Sequence, residues 1–112
     1  MKGYTPAQGD LVWLEFIPQA GYEQARHRPA LVLSRKEYNQ KTSLAVFCRI
    51  TTKPKGYPFE VVVAGRKVQG VVLADHVKSL DWEARKATFI EHADPKVLRE
   101  TLSKFSVIIE EK

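Results

Sequence analysis

Gly21-Tyr22-Glu23-Gln24-Ala25-Arg26-His27-Arg28-Pro29 runs directly into Ala30-Leu31-Val32-Leu33-Ser34. The first part crowds a carboxylate, an imidazole and two guanidiniums into one short stretch, and the second is an apolar run of strand length. Side chains alternate along a strand, so His27, Pro29, Leu31 and Leu33 fall on one face and Arg28, Ala30, Val32 and Ser34 on the other. The small Ala30 leaves space beside Arg28, whereas His27 stands with bulky Leu31 and Leu33. Arg28 is therefore expected to reach an open groove at the strand mouth.

Working outward, Gly9-Asp10 is a turn signal, and Leu11-Val12-Trp13-Leu14-Glu15-Phe16 reads as a nearly continuous apolar strand, hence a buried one. Residues 17–27 contain Pro18 and Gly21 without periodicity and are expected to form a long loop of the kind that carries function. Residues 35–43 are polar and suggest a helical turn. Leu44-Ala45-Val46-Phe47-Cys48-Arg49-Ile50-Thr51 reads as a third strand, followed by a basic loop over residues 52–57. Phe59-Glu60-Val61-Val62-Val63 and Gly70-Val71-Val72-Leu73-Ala74 read as two more strands joined by a polar turn, and residues 76–80 and 82–89 as continuations of the sheet.

Asp94-Pro95 pairs an N-cap with proline at the first helical position, and Val97, Leu98, Leu102, Phe105 and Ile109 approximate one apolar face at helical spacing. A C-terminal helix covering the sheet is expected. The 112 residues suit a single domain spanning 1–112, of ordinary globular composition with 44% hydrophobic and 28% charged residues.

No apolar run approaches the ~20 residues needed to span a bilayer, and the N-terminus lacks a secretory apolar region. A cytoplasmic protein is expected. The one cysteine, Cys48, sits in an apolar strand and reads as a small buried hydrophobe. His27, His76 and His92 lack the spacing of a zinc site and no Walker-type loop is present, so no metal or cofactor is expected. A net charge of +5 favours a polyanionic partner without specifying one.

Glu23-Gln24, His27-Arg28-Pro29-Ala30, Thr51-Thr52, Lys55-Gly56-Tyr57-Pro58-Phe59-Glu60-Val61 and Gly70-Val71-Val72-Leu73-Ala74-Asp75 with Val77-Lys78-Ser79-Leu80 together resemble the MazF/PemK toxins of toxin-antitoxin pairs. None of these motifs is specific alone; their order over residues 9–85 carries the resemblance. It implies a mainly β fold, a small SH3-like β-barrel of the CcdB/PemK type with a C-terminal helix and short additional helical turns. It also implies a homodimer that cleaves single-stranded RNA at short sequences without a metal and is neutralised by a cognate antitoxin. The implied cleavage is attack of the 2′-OH on the adjacent phosphorus, leaving a 2′,3′-cyclic phosphate and a 5′-OH. Family catalysis falls on Arg28 and Thr51, with Glu23 also implicated.

Transesterification needs a proton taken from the 2′-OH, a proton given to the 5′-oxygen, and charge stabilisation on the phosphoryl oxygens. The Arg28 fork suits the last task but is a poor base at a pKa above ~12. Thr51 can donate its hydroxyl to a phosphoryl oxygen. Glu23 is the chemically ordinary base, or alternatively a loop carboxylate paired with Arg26 or Arg28. His27 has the tempting pKa of ~6.5, but strand geometry sets it away from Arg28 and places it among the RNA-binding candidates. Lys53, Lys55 and Arg85 offer phosphate contacts and Tyr57 a face for an unstacked base; solvated lysines and a rim-packing tyrosine would look the same. Trp13 and Trp82 read as core or interface aromatics.

His76 and Arg26 depart from the family pattern, and no cleavage sequence is expected from these residues. Two rival readings share the barrel: a non-catalytic toxin binding DNA gyrase, like CcdB, and a non-catalytic RNA-binding module.

Overall fold

A computed structural model describes residues 3–16 and 26–111. The expected long loop over residues 17–27 lies, up to residue 25, outside the described residues, and Glu23 with it. The chain order is β1 (Asp10–Phe16), β2 (Arg26–Val32), α1 (Lys36–Thr42), β3 (Leu44–Thr51), β4 (Glu60–Ala64), β5 (Gln69–Asp81), β6 (Thr88–His92) and α2 (Pro95–Ile109). The strands form one antiparallel sheet in the order β4-β5-β3-β2-β1-β6, curled into a half-barrel with α2 packed on it.

The curl brings the two edges of the sheet together. Glu91 on the edge strand β6 accepts backbone N–H bonds from Arg66 (3.1 Å), Lys67 (2.8 Å) and Val68 (2.9 Å), in the turn between β4 and β5 at the opposite edge. Gly65 is required by this closeness: a Cβ there would lie 2.5 Å from a Glu91 carboxylate oxygen. Three N–H bonds hold the Glu91 carboxyl below its ordinary pKa of 4.5, those from Lys67, Val68 and Arg66 outweighing a smaller opposing effect of desolvation.

Both faces of the sheet's centre are covered. Leu11, Leu31, Cys48, Ile50, Val61, Val63 and Val72 pack inside the curl against Val97, Leu98 and Leu102 of α2. On the outer face Val12, Leu14, Ala30, Val32, Ala45 and Phe47 pack under Tyr4, Trp82 and Ala87. This is why the apolar run of β1 is nearly unbroken: each side of it meets a core. Fully buried Asn39 of α1 ties this outer cover down, donating to the Pro6 carbonyl (2.8 Å) while its own carbonyl accepts from Trp82 Nε1 (2.9 Å).

Three sequence expectations change. Residues 82–89 do not continue the sheet throughout, because the Asp81 carboxylate accepts from the N–H groups of Glu83 and Ala84 (3.0 Å each) and bends the chain into a turn that ends with Lys86 at φ 52°. The stretches 70–74 and 76–80 are not separate but one long strand, β5, whose register shifts opposite residues 48–50 of β3. The apolar face of α2 does not reach Ile109: Val107, Ile108 and Ile109 at its tip are exposed. The helix start is as read, with the Asp94 side chain accepting from Lys96 N at 2.9 Å.

Candidate active site

The alternation along β2 separates His27 from Arg28. His27 stands opposite Glu15, its Nε2 3.4 Å from Glu15 Oε2 and its ring 6.2 Å from that of Trp13, while Arg28 stands opposite Leu14 on the other face. The space expected beside Ala30 is absent, since Ala30 is buried among Val12, Leu14 and Phe47. Arg28 is nonetheless exposed, near the start of β2 opposite Leu14, and it forms no ion pair among the described residues. His27 is also exposed, so sharing a face with Leu31 does not bury it.

The register between β2 and β3 brings Arg28 and Thr51 together. Ala30 pairs with Arg49, Leu31 with Cys48 and Val32 with Phe47. The ladder ends at Ala30 and Arg49; Arg28, two residues before Ala30, and Thr51, two residues after Arg49, lie on the same face of the sheet just beyond it. Thr51 stands opposite Val71 and Val71 opposite Val62, while Arg28 stands opposite Leu14, so the Thr51 and Arg28 pairs extend across the outer face on either side of the β2–β3 ladder's end. The Thr51 hydroxyl oxygen accepts from Lys53 N at 3.1 Å, which occupies a lone pair and leaves its proton to donate outward.

Gly70 makes this placement of Thr51 possible. Its φ of +154° disfavours other residues, and a Cβ there would fall 2.3 Å from the Thr51 carbonyl oxygen and 3.3 Å from Thr52 Cα. Sequence reading took Gly70 only as the start of a strand; a glycine opening a run of β-branched residues was the available signal of a close backbone approach.

The loop after Thr51 is organised by residues the sequence reading left aside. The Glu60 carboxylate accepts from Lys55 N (2.7 Å) and Gly56 N (3.0 Å), and Gly56 holds φ +82°. The Tyr57 hydroxyl donates to Asp75 Oδ1 at 2.7 Å, and this bond, ahead of the repulsion from the same carboxylate, pushes the phenol up to about 12. Lys53 and Lys55 remain exposed. Between this loop and the β4–β5 ladder lies an open groove of about 570 Å³, with Val62 and Val71 as its floor and Thr52, Tyr57, Glu60 and Gln69 around it.

Arg85 lies in the turn after β5, and its carbonyl accepts from Glu15 N at 2.8 Å, which docks that turn beside His27's cross-strand neighbour. The structure thus gathers His27, Arg28, Thr51 and Arg85 around the adjacent ends of β1, β2 and β3, with Lys53, Lys55 and Tyr57 on the flanking loop. His76, beyond Asp75, is exposed with Nε2 3.9 Å from the Asp75 carboxylate. Cys48 is fully buried, donates to the Leu73 carbonyl at 3.0 Å, and is pushed up to about 12 by burial, so it is no nucleophile. Among the described residues no group of three or more His, Cys, Asp or Glu side chains is placed to hold a metal ion, and no helix is long and apolar enough to cross a membrane.

Residues 7–109 match the family model of the PemK-like, MazF-like toxin of type II toxin-antitoxin systems. The endoribonuclease toxin MazF of Escherichia coli K12 is 49% identical over 106 residues, covering 95% of this chain and 96% of that protein. A crystal structure of MazE-MazF from Deinococcus radiodurans superposes with a TM-score of 0.91 at 49% identity, covering 96% of this chain and 97% of that one. An endoribonuclease in complex with its cognate antitoxin from a mycobacterial species shares the fold, with a TM-score of 0.74 at 19% identity. With the match covering nearly the whole chain and both the Arg28 and Thr51 strand ends, the chain belongs to the PemK-like, MazF-like toxin family of type II toxin-antitoxin systems.

Proposed function

We propose that this chain, an endoribonuclease of the MazF type, cuts single-stranded RNA without a metal by attack of a 2′-OH on the adjacent phosphorus. The 2′-oxygen to phosphorus bond forms and the phosphorus to 5′-oxygen bond breaks, leaving a 2′,3′-cyclic phosphate and a 5′-OH end. Arg28 holds the phosphoryl oxygens with its fork and offsets the charge that builds on them, and Thr51 donates its hydroxyl to the same phosphate. Glu23 takes the 2′-OH proton as general base, and the departing 5′-oxygen takes up a proton from water. Lys53, Lys55, Arg85 and His27 add cationic or hydrogen-bonding contacts along the strand, and Tyr57 offers a stacking face.

The observation that carries this reading is that Arg28 and Thr51 lie on one face just beyond the end of the β2–β3 ladder, the guanidinium exposed and without an ion pair among the described residues and the threonine hydroxyl free to donate. A phosphodiester spanning them would meet two positioned donors. The protein is further read as a cytoplasmic homodimer restrained by a cognate antitoxin, on the strength of its likeness to MazF chains solved with MazE.

The test incubates purified protein with a mixed-sequence RNA in EDTA and maps the new ends. Cyclic phosphate and 5′-OH termini are expected, and a single 2′-deoxy substitution at a mapped site should block scission there while binding persists. Intact RNA in the presence of folded protein refutes the reading. Arg28→Ala should lose turnover with little change in melting temperature, because the side chain is exposed. Full activity in that variant would place the site elsewhere.

A further inference from the structure

The loop between β3 and β4 has an anchor outside the sheet. Lys104 of α2 donates from Nζ to the Pro58 carbonyl at 2.7 Å and to the Glu60 carbonyl at 3.1 Å. The same ammonium lies 3.5 Å from Glu100 Oε2, one helical turn earlier, with the side chain 30% exposed. Two of the ammonium's three donors are engaged by the carbonyls, and the Glu100 carboxylate lies within ion-pair distance of its charge. Lys104 is therefore not a free cation waiting for a phosphate, unlike Lys53 and Lys55 on the loop it holds. Its two carbonyl partners lie at the C-terminal end of that loop, one of them on Glu60, whose carboxylate collects the N–H groups of Lys55 and Gly56. The helix, the loop backbone and the Glu60 carboxylate thus form one hydrogen-bonded unit.

We propose that Lys104 is a positioning residue for RNA binding, fastening the loop that bears Lys53, Lys55 and Tyr57 to α2 so that these groups are presented in a set arrangement. The inference rests on the RNA-cutting reading above. A loop ordered in advance spares the complex the cost of ordering it on binding, so the loss of the clamp falls on affinity. Arg28 and Thr51 sit on strand ends held by the sheet, so the chemical step is little affected.

The experiment measures kcat and KM of the full-length chain on an oligoribonucleotide carrying a mapped cleavage site. Lys104→Met keeps the aliphatic stem and removes the donors; KM should rise about 5- to 10-fold with kcat within about twofold. Lys104→Arg restores donors for both carbonyls and should recover most of the wild-type KM. In the Lys104→Met/Lys55→Ala double variant, the rise in KM should be smaller than the product of the two single-variant effects, since both act through one loop. Effects that multiply fully would make Lys104 an independent contact and overturn the proposal, as would a folded Lys104→Met with wild-type KM. Lys104→Gln, which keeps one neutral donor group, should be intermediate and takes the place of Lys104→Met if the latter does not fold; a wild-type KM there also overturns it. A wild-type protein that leaves RNA intact refutes the cleavage reading and the clamp with it, whereas cleavage with an unmoved KM refutes the clamp alone.

Discussion

Gly70→Ala is a small change with a large expected effect, because two costs coincide at one atom. The backbone at φ +154° is one that a Cβ disfavours, worth roughly 1–3 kcal/mol. The added methyl would also lie 2.3 Å from the Thr51 carbonyl oxygen, which must retreat by roughly 1 Å to reach an ordinary contact. Because that oxygen belongs to backbone in the β3–β5 ladder, it cannot swing aside as a side chain would. Overpacking of this kind adds about 1–3 kcal/mol, for a total of roughly 2–6 kcal/mol and a fall in melting temperature of roughly 8–24 °C. The displacement falls on Thr51 itself, so kcat/KM should drop on the order of 100-fold even at temperatures where the variant is folded. Gly56→Ala is the internal control: its φ of +82° carries a conformational cost of about 1 kcal/mol, but a Cβ there meets nothing within 4 Å. Calorimetry and end-mapped cleavage kinetics on both variants separate strain from collision. A Gly70→Ala protein that melts no lower than Gly56→Ala and cleaves like the wild type would refute the close approach of β5 to Thr51.

Three further outcomes follow from the electrostatics. The Glu91 carboxyl is held below its ordinary 4.5, so its contribution to stability is present above that pH and is lost as pH falls through the lower folded value; melting temperature against pH should show an acid slope that Glu91→Gln lacks, and equal slopes would remove the clasp between sheet edges. The Tyr57 phenol, at about 12 because of Asp75, should fall toward the ordinary 10 in Asp75→Asn, which keeps an acceptor and loses the charge; ultraviolet difference titration against Tyr57→Phe reads the shift, and an unmoved titration rules Asp75 out as its cause. Cys48, raised from 9.0 to about 12, should hold roughly a thousandth of the thiolate of an ordinary cysteine, so native protein should react with a disulfide reagent only as fast as it unfolds; rapid labelling of folded protein would contradict its burial.

Much of this molecule is local, and local features can be read from the chain. The Asp94-Pro95 cap acts within one turn of helix, and strand alternation acts between neighbours, so the start of α2 and the opposite facing of His27 and Arg28 were legible from a few residues each. Leu11 to Leu14 needed cover on both sides, and the structure supplies it. Arg28 was expected to reach a groove through space beside small Ala30; Arg28 is exposed, but Ala30 is buried and offers no such space. The bend at residues 82–86 was missed because one carboxylate, Asp81, overrides β-forming neighbours.

Tertiary structure alone decided the rest, and the reason is sequence distance. Gly70 beside Thr51, Glu91 on the turn at residues 66–68, Asp75 under Tyr57 and Lys104 on Pro58 each join positions 18 to 46 residues apart. Each looks on paper like a routine glycine, or a solvated acid or lysine. Their partners are assigned by strand register and by the curl of the sheet, which depend on the whole chain burying its apolar faces together. Local pattern located most of the strands, the helix start and the chemical groups available at the strand mouths; strand pairing and the curl of the sheet decided which of those groups share a face.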